Sequence, residues 1–160
     1  MRIGHGYDIH AFAADPARPL VLGGVTLPDR PGLDGHSDAD VVTHALADAI
    51  LGALALPDIG HFFPNTDASI AGIDSQKILA RAVEEAHRKG LRVGNVDLSI
   101  IAERPKIGPH LDAMKARLAE TLGVTAGDVG IKATTNEKIG ALGRGDGIAA
   151  HAVVLLVERA

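Results

Sequence analysis

Ile148-Ala149-Ala150-His151-Ala152-Val153-Val154-Leu155-Leu156-Val157-Glu158 reads as a β-strand whose second half, Val153 to Val157, is an unbroken apolar run. An alternating strand has one wet face, whereas a continuously apolar one is covered on both. Helices can cover one side of the sheet that holds this strand. A chain of 160 residues has little left for the other side. The pattern therefore predicts that subunits pack sheet against sheet around a symmetry axis, the alternative being a central core strand within one chain.

Working back from that strand, Val129 to Thr135 is a second one, and Arg92 to Glu103 a third, with Val96, Leu98 and Ile100 alternating against Asp97 and Ser99. Between them, Pro109 opens a helix whose face is Leu111, Met114, Leu118 and Leu122, stopped by Gly123. An earlier helix begins at Asp74 or Ser75, carries Ile78, Leu79, Ala82, Val83 and Ala86, and ends with Arg88-Lys89 before Gly90. The first helix is expected from Ser37, as N-cap, to about Leu54, with Asp38 and Asp40 in its positive first turn. The first strand runs from Arg2 to about Phe12. Leu20-Val21-Leu22, Val25 and Leu27 form a hairpin-like excursion around Gly23-Gly24. Helix-like and strand-like patterns alternate without repeat or linker, so residues 1–160 are expected to form one domain.

Composition excludes several classes. With no cysteine, disulfides, thiolate metal sites and cysteine nucleophiles are absent. Four aromatic side chains (Tyr7, Phe12, Phe62, Phe63) and a net charge of −4 argue against a nucleic-acid partner. No apolar run approaches the roughly 20 residues of a membrane helix, and Met1-Arg2-Ile3-Gly4-His5 lacks a signal-peptide core. A cytoplasmic protein without a membrane partner is the expectation.

Candidate chemistry starts at Asp8-Ile9-His10. Two apart on a strand, Asp8 and His10 point to one face with Cα atoms about 6.5–7 Å apart, near enough to share a cation. By itself D-x-H is weak, and a surface pair is the commoner use. His44 could complete three ligands around an open fourth position, the pattern of a catalytic zinc site. Asp40, at i−4 from His44, would orient it, or serve only as a first-turn acid. His36 precedes a helix N-terminus, where free amides favour phosphate.

The glycine- and proline-punctuated loop from Leu56 to Asp67 is long enough to be functional; its Asp58 and Asp67 could receive sugar hydroxyls or simply form turns. Lys132-Ala133-Thr134-Thr135-Asn136-Glu137-Lys138 offers hydroxyls and a carboxylate suited to a phosphate–magnesium arrangement, or else a polar strand end. Gly140-Ala141-Leu142-Gly143-Arg144-Gly145-Asp146-Gly147 is glycine-rich without being a Walker A loop.

These blocks, in this order, resemble the 2-C-methyl-D-erythritol 2,4-cyclodiphosphate synthase family over the whole chain. The resemblance rests on Arg2 to His10, Gly35 to His44, Asp58-Ile59-Gly60, Phe63-Pro64-Asn65-Thr66-Asp67, Gly94 to Asp97, Arg104-Pro105-Lys106 and Lys132 to Lys138. It implies a homotrimer of α+β subunits, each a four-stranded mixed sheet with helices on one face and the sheets turned toward the three-fold axis. It implies zinc held by Asp8, His10 and His44, and magnesium or manganese held by Glu137 with the substrate diphosphate. His36 and Thr135 match the family's transition-state-stabilising pair. Asp8, Ile9, His10, His36 and Ser37, with Asp58 to Gly60 and Phe63 to Asp67, match residues that hold the methylerythritol phosphate. Ala102, Glu103, Arg104, Pro105, Lys106, Ile107 and Gly108 match a cytosine pocket. Thr134, Thr135, Asn136 and Glu137 match contacts to the phosphates, with Ala141 and Arg144 near the axial cavity.

The chain departs from the commonest family pattern at Asn65, Asn136, Ala141 and His151. The implied reaction turns a cytidine-diphosphate-linked sugar-alcohol phosphate into a cyclic diphosphate and CMP. A zinc phosphohydrolase would use the same trio to yield linear products, and a non-catalytic nucleotide-binding trimer would need no zinc.

Overall fold

The computed structural model describes residues 1–29, 31–64 and 66–159. Its elements in chain order are β1 (Arg2–Ala11), β2 (Leu20–Leu22), β3 (Val25–Leu27), α1 (Val41–Ala53), α2 (Ile59–Phe62), α3 (Ser75–Arg88), β4 (Leu91–Ile101), α4 (Leu111–Leu122), β5 (Val129–Thr134), α5 (Gly140–Arg144) and β6 (Gly147–Glu158). The architecture is α+β. One mixed four-stranded sheet has the order β1-β6-β4-β5, with β4 and β5 parallel and the other pairs antiparallel. The β2–β3 hairpin stands apart as predicted.

Burial divides the sheet cleanly. Gly4 and Gly6 of β1, Ala150, Ala152, Val154 and Leu156 of β6, and Val96, Leu98 and Ile100 of β4 are all buried, and the large helices pack on this side. The residues between them are not. Ile3 is 72% exposed, Tyr7 46%, Ile9 47% and Val153 38%, so the apolar run of β6 is covered within the chain on one face only. The expectation that one chain would leave the second face to something else holds. Among the described residues, no helix is long and apolar enough to cross a membrane.

The seat of α1 on β1 has a simple cause. A Cβ on Gly4 would come within 1.9 Å of the Ala49 carbonyl oxygen, and one on Gly6 within 1.9 Å of the Ala45 carbonyl oxygen. Glycine on the strand and alanine on the helix let the two backbones touch, which larger side chains would forbid. Two residues beyond Gly6 on the same face of β1, Asp8 reaches the His44 side chain.

Two helix starts differ from the sequence expectation. The first helix starts at Val41 rather than Ser37. Ala39 has a left-handed φ of 56°, which breaks the helix, and Asp40 is the N-cap, accepting from Val42 N and Thr43 N. Pro109 lies in a 3-10 turn, Gly108–His110, that leads into α4. The Leu56–Asp67 loop and the glycine-rich segment also fold short helices, α2 and α5, that their glycine content concealed.

Candidate active site

At the C-terminal end of β1, Asp8 and His10 lie on the helix-packed face and meet His44 in the first turn of α1. Asp8 Oδ2 is 3.0 Å from His10 Nε2 and 3.0 Å from His44 Nδ1, while the two imidazole nitrogens are 3.3 Å apart. Tetrahedral ligands at roughly 2.0–2.2 Å from one ion are separated by about 3.3–3.6 Å. The trio therefore already stands close to the spacing that a shared cation requires, and these side chains form a group able to hold one.

Hydrogen bonds behind the trio set which nitrogen faces inward. His10 Nδ1 donates to the Asp34 carbonyl oxygen at 2.6 Å, which leaves the Nε2 lone pair for a ligand. His44 Nε2 lies 2.9 Å from Ser75 Oγ and 3.2 Å from Ser37 Oγ, leaving Nδ1 to face Asp8. Ser75 Oγ in turn donates to Asp38, which also accepts from Ser75 N at 3.0 Å. An oxygen and two imidazoles with fixed tautomers suit a divalent transition ion.

Charge follows the same geometry. Burial alone would raise the Asp8 carboxyl, but the hydrogen bonds and charges of His10 and His44 outweigh it and hold it well below the usual carboxylate range. Burial would lower His10, and the hydrogen bond and charge of Asp8 prevail and raise it. A cation held by the trio would therefore compete with protonation of His10, which Asp8 favours.

Asp40 does not orient His44. It is fully buried and accepts from Gly23 N at 2.8 Å, Gly24 N at 2.6 Å, Val42 N at 3.2 Å, Thr43 N at 3.1 Å and Thr43 Oγ1 at 2.6 Å. Burial raises its carboxyl despite these donors. Its carboxylate ties the β2–β3 turn to the start of α1 and occupies two of the amides at that helix N-terminus.

A cleft of about 360 Å³ opens beside the trio. Asp8, His10, His36, Ser37, His44, Ile59, Gly60, Phe63 and Pro64 line it, together with Ile70, Ile73 and Ile78. The Ile9 side chain lies on the opposite face of the sheet. Asp58 caps α2 without a side-chain hydrogen bond, and α2 is tethered by Ile59 N to Asp48 Oδ1 at 2.9 Å. Thr66 and Asp67 are exposed in the turn beyond Pro64 and outside the cleft lining, and Asn65 lies outside the described residues.

A second hollow, about 430 Å³, sits at the far edge of the sheet. Ala102, Glu103, Pro105, Lys106, Ile107 and Gly108 line it, with Thr134 and Thr135 at the end of β5. Arg104 turns away, its guanidinium 4.4 Å above the Phe12 ring. Glu103 Oε1 accepts from Asn136 N at 3.1 Å and Lys138 N at 3.2 Å and so fixes the turn after β5. Lys138 holds the Glu103 carboxyl below its ordinary range. Within that turn Glu137 (φ 50°) and Lys138 (φ 64°) are left-handed, and Thr135 Oγ1 donates to Glu137 Oε1 at 2.9 Å. Three of the cations nearby are paired: Lys132 with Asp97, Lys138 with Glu103, and Arg144 with Asp146. Ala141 is exposed on α5.

Both hollows lie at the same end of the sheet, but β6 and β4 separate their edges, about 14 Å at three strand spacings. Asp34, Asp38, Ser75 and Asp48 were not singled out by the sequence as supports of the site. Asp74-Ser75 looks like an ordinary helix start, and nothing local links Ser75 to His44.

The YgbB family model matches residues 1–157. A 2-C-methyl-D-erythritol 2,4-cyclodiphosphate synthase from Thermosynechococcus vestitus is 57% identical over 98% of this chain and 96% of its own length. Among solved structures, the Plasmodium falciparum IspF–CDP complex superposes with a TM-score of 0.86 at 34% identity, covering 99% of this chain and 97% of that one. The bifunctional IspDF from Campylobacter jejuni superposes with a TM-score of 0.92 at 38% identity; the match covers 98% of this chain and 42% of that longer one.

Proposed function

The chain belongs to the YgbB family, and on that premise we propose that it converts 4-diphosphocytidyl-2-C-methyl-D-erythritol 2-phosphate into 2-C-methyl-D-erythritol 2,4-cyclodiphosphate and CMP, in the non-mevalonate isoprenoid pathway. An oxygen of the substrate's own 2-phosphate attacks the β-phosphorus. The bond from that phosphorus to the bridging oxygen breaks, and CMP leaves with the electron pair. Such a transfer asks the protein mainly for positioning and for charge stabilisation.

The observation that carries this reading is the convergence of Asp8 Oδ2, His10 Nε2 and His44 Nδ1 beside a cleft. These three would hold zinc, and Glu137 magnesium or manganese, supplying Lewis-acid neutralisation of the diphosphate oxygens that a protein of net charge −4 does not provide in bulk. The Asp34 carbonyl behind His10 and the Ser75 hydroxyl behind His44 turn the two imidazoles toward Asp8. His36 and Ser37, at the cleft wall, would meet phosphate oxygens, and Thr135, at the other hollow, would offer its hydroxyl. Asp58, Ile59 and Gly60, with Phe63, Pro64, Asn65, Thr66 and Asp67, would hold the methylerythritol. Phe63, Ile70, Ile73 and Ile78 give the cleft an apolar wall. Ala102 to Gly108 would take the cytosine, and Thr134, Asn136 and Glu137 its phosphates.

Residues 1–160 would act as one domain in a cytoplasmic homotrimer. The uncovered sheet face, with Ile3, Tyr7, Ile9 and Val153 exposed, would turn to the three-fold axis. Rotation about that axis would bring the zinc cleft of one subunit toward the nucleotide hollow of its neighbour, which the separation within one chain favours.

Phosphorus NMR of products formed from the substrate with zinc and magnesium tests the reading. CMP with a cyclic diphosphate is expected. A linear phosphate would indicate a zinc phosphohydrolase, and no turnover a nucleotide-binding protein; either overturns it.

A further inference from the structure

On the uncovered face, His5 Nε2 lies 3.2 Å from His151 Nδ1. His5 is on β1 and His151 on β6, one pair removed in register: Tyr7 stands opposite His151, and Ser99 of β4 flanks His151 on its other side. Both rings are exposed, and the Tyr7 ring packs 4.8 Å from that of His151. We propose that this pair is a second metal site, which takes a divalent transition ion of the imidazole-preferring class, zinc, copper or nickel.

The geometry argues for it in three steps. Two nitrogens bound to one ion at roughly 2.0–2.1 Å and 90–110° stand about 2.9–3.4 Å apart, and the pair already stands within that range. Imidazole is the ligand these ions favour, and water can fill the remaining positions. The strands fix the two backbones: β1 and β6 run in continuous antiparallel register through this region, and the Tyr7 ring packs against that of His151.

The site is separate from the Asp8 trio. Along β1 side chains alternate, so His5 points away from α1 while Asp8 points toward it, and the two are about 10 Å apart along the strand. The pair lies within one chain, so the inference does not depend on the proposed reaction or assembly. In a trimer that turned this face inward, three pairs would stand around the axis.

Calorimetric titration of the metal-stripped, assembled protein with zinc tests this. Wild type should show two classes of sites. His44→Ala should lose the tight class and keep the weaker one; His151→Ala and His5→Gln should each keep the tight class and lose the weaker. Copper added to the zinc-loaded protein should give an electron paramagnetic resonance spectrum with coupling to two nitrogens, absent in His151→Ala. A single class in wild type overturns the proposal, as does a weaker class that survives both His5→Gln and His151→Ala in proteins whose circular dichroism matches wild type.

Discussion

His44 Nε2 lies 2.9 Å from the Ser75 hydroxyl, which donates to Asp38. This relay crosses from α1 to the first turn of α3 and ends on the segment that precedes α1. It presents His44 Nδ1 to Asp8. Outer partners of this kind commonly contribute 10–100-fold to metal affinity. Ser75→Ala is therefore expected to weaken zinc binding by roughly 10–100-fold while the fold persists. Competition with a chromophoric chelator measures this, and excess zinc should restore much of the lost turnover. Unchanged affinity would remove Ser75 from the site.

Protons are linked to the metal with a definite sign. His10 is raised above its ordinary value by Asp8 and so stays protonated to higher pH than a free histidine. Zinc must displace that proton, so affinity should climb with pH through and above the normal histidine range near 6.5. In the ion-free protein the same interaction stabilises the fold below that value, and its contribution fades as pH rises through the raised pKa. Titrations in buffers of different ionisation enthalpy should report proton release near neutral pH. No release would contradict the charge state assigned to His10.

The close seat of α1 on β1 predicts a coupled loss. A Cβ at Gly6 would strike the Ala45 carbonyl oxygen, so Gly6→Ala should cost about 3 kcal/mol or more and push His44 from Asp8. Denaturant melts and zinc affinity measured on the same variant should fall together. A variant that lost stability but bound zinc normally would separate the packing from the site.

Asp40 should behave as a structural anchor. Asp40→Ala removes the N-cap and strands the buried Gly23 amide, and is expected to cost about 2–4 kcal/mol. If the variant still folds at low temperature, its zinc affinity should change far less than that of Ser75→Ala. Chemical denaturation and metal titration together decide this.

Much of this was legible in the sequence because it is local. Periodicity located each sheet strand and the long helices, and D-x-H on a strand placed Asp8 and His10 on one face. The start of α1 was not. Ser37, Asp38 and Asp40 are all good capping residues, and the choice among them is made by the Gly23 and Gly24 amides, which arrive from a hairpin some sixteen residues away. For the same reason Ser75 could not be linked to His44, 31 residues earlier. The uncovered sheet face was foreseen from Val153 to Val157, whereas the meeting of His5 with His151, 146 residues apart, depends on strand register.

Zinc content after exhaustive dialysis, compared between wild type and His44→Ala, tests the three-residue site most directly. One zinc per chain in wild type, and almost none in a folded His44→Ala protein that no longer releases CMP, is the predicted result. A His44→Ala protein that retains its full zinc, or that turns over normally once stripped of metal, would contradict it.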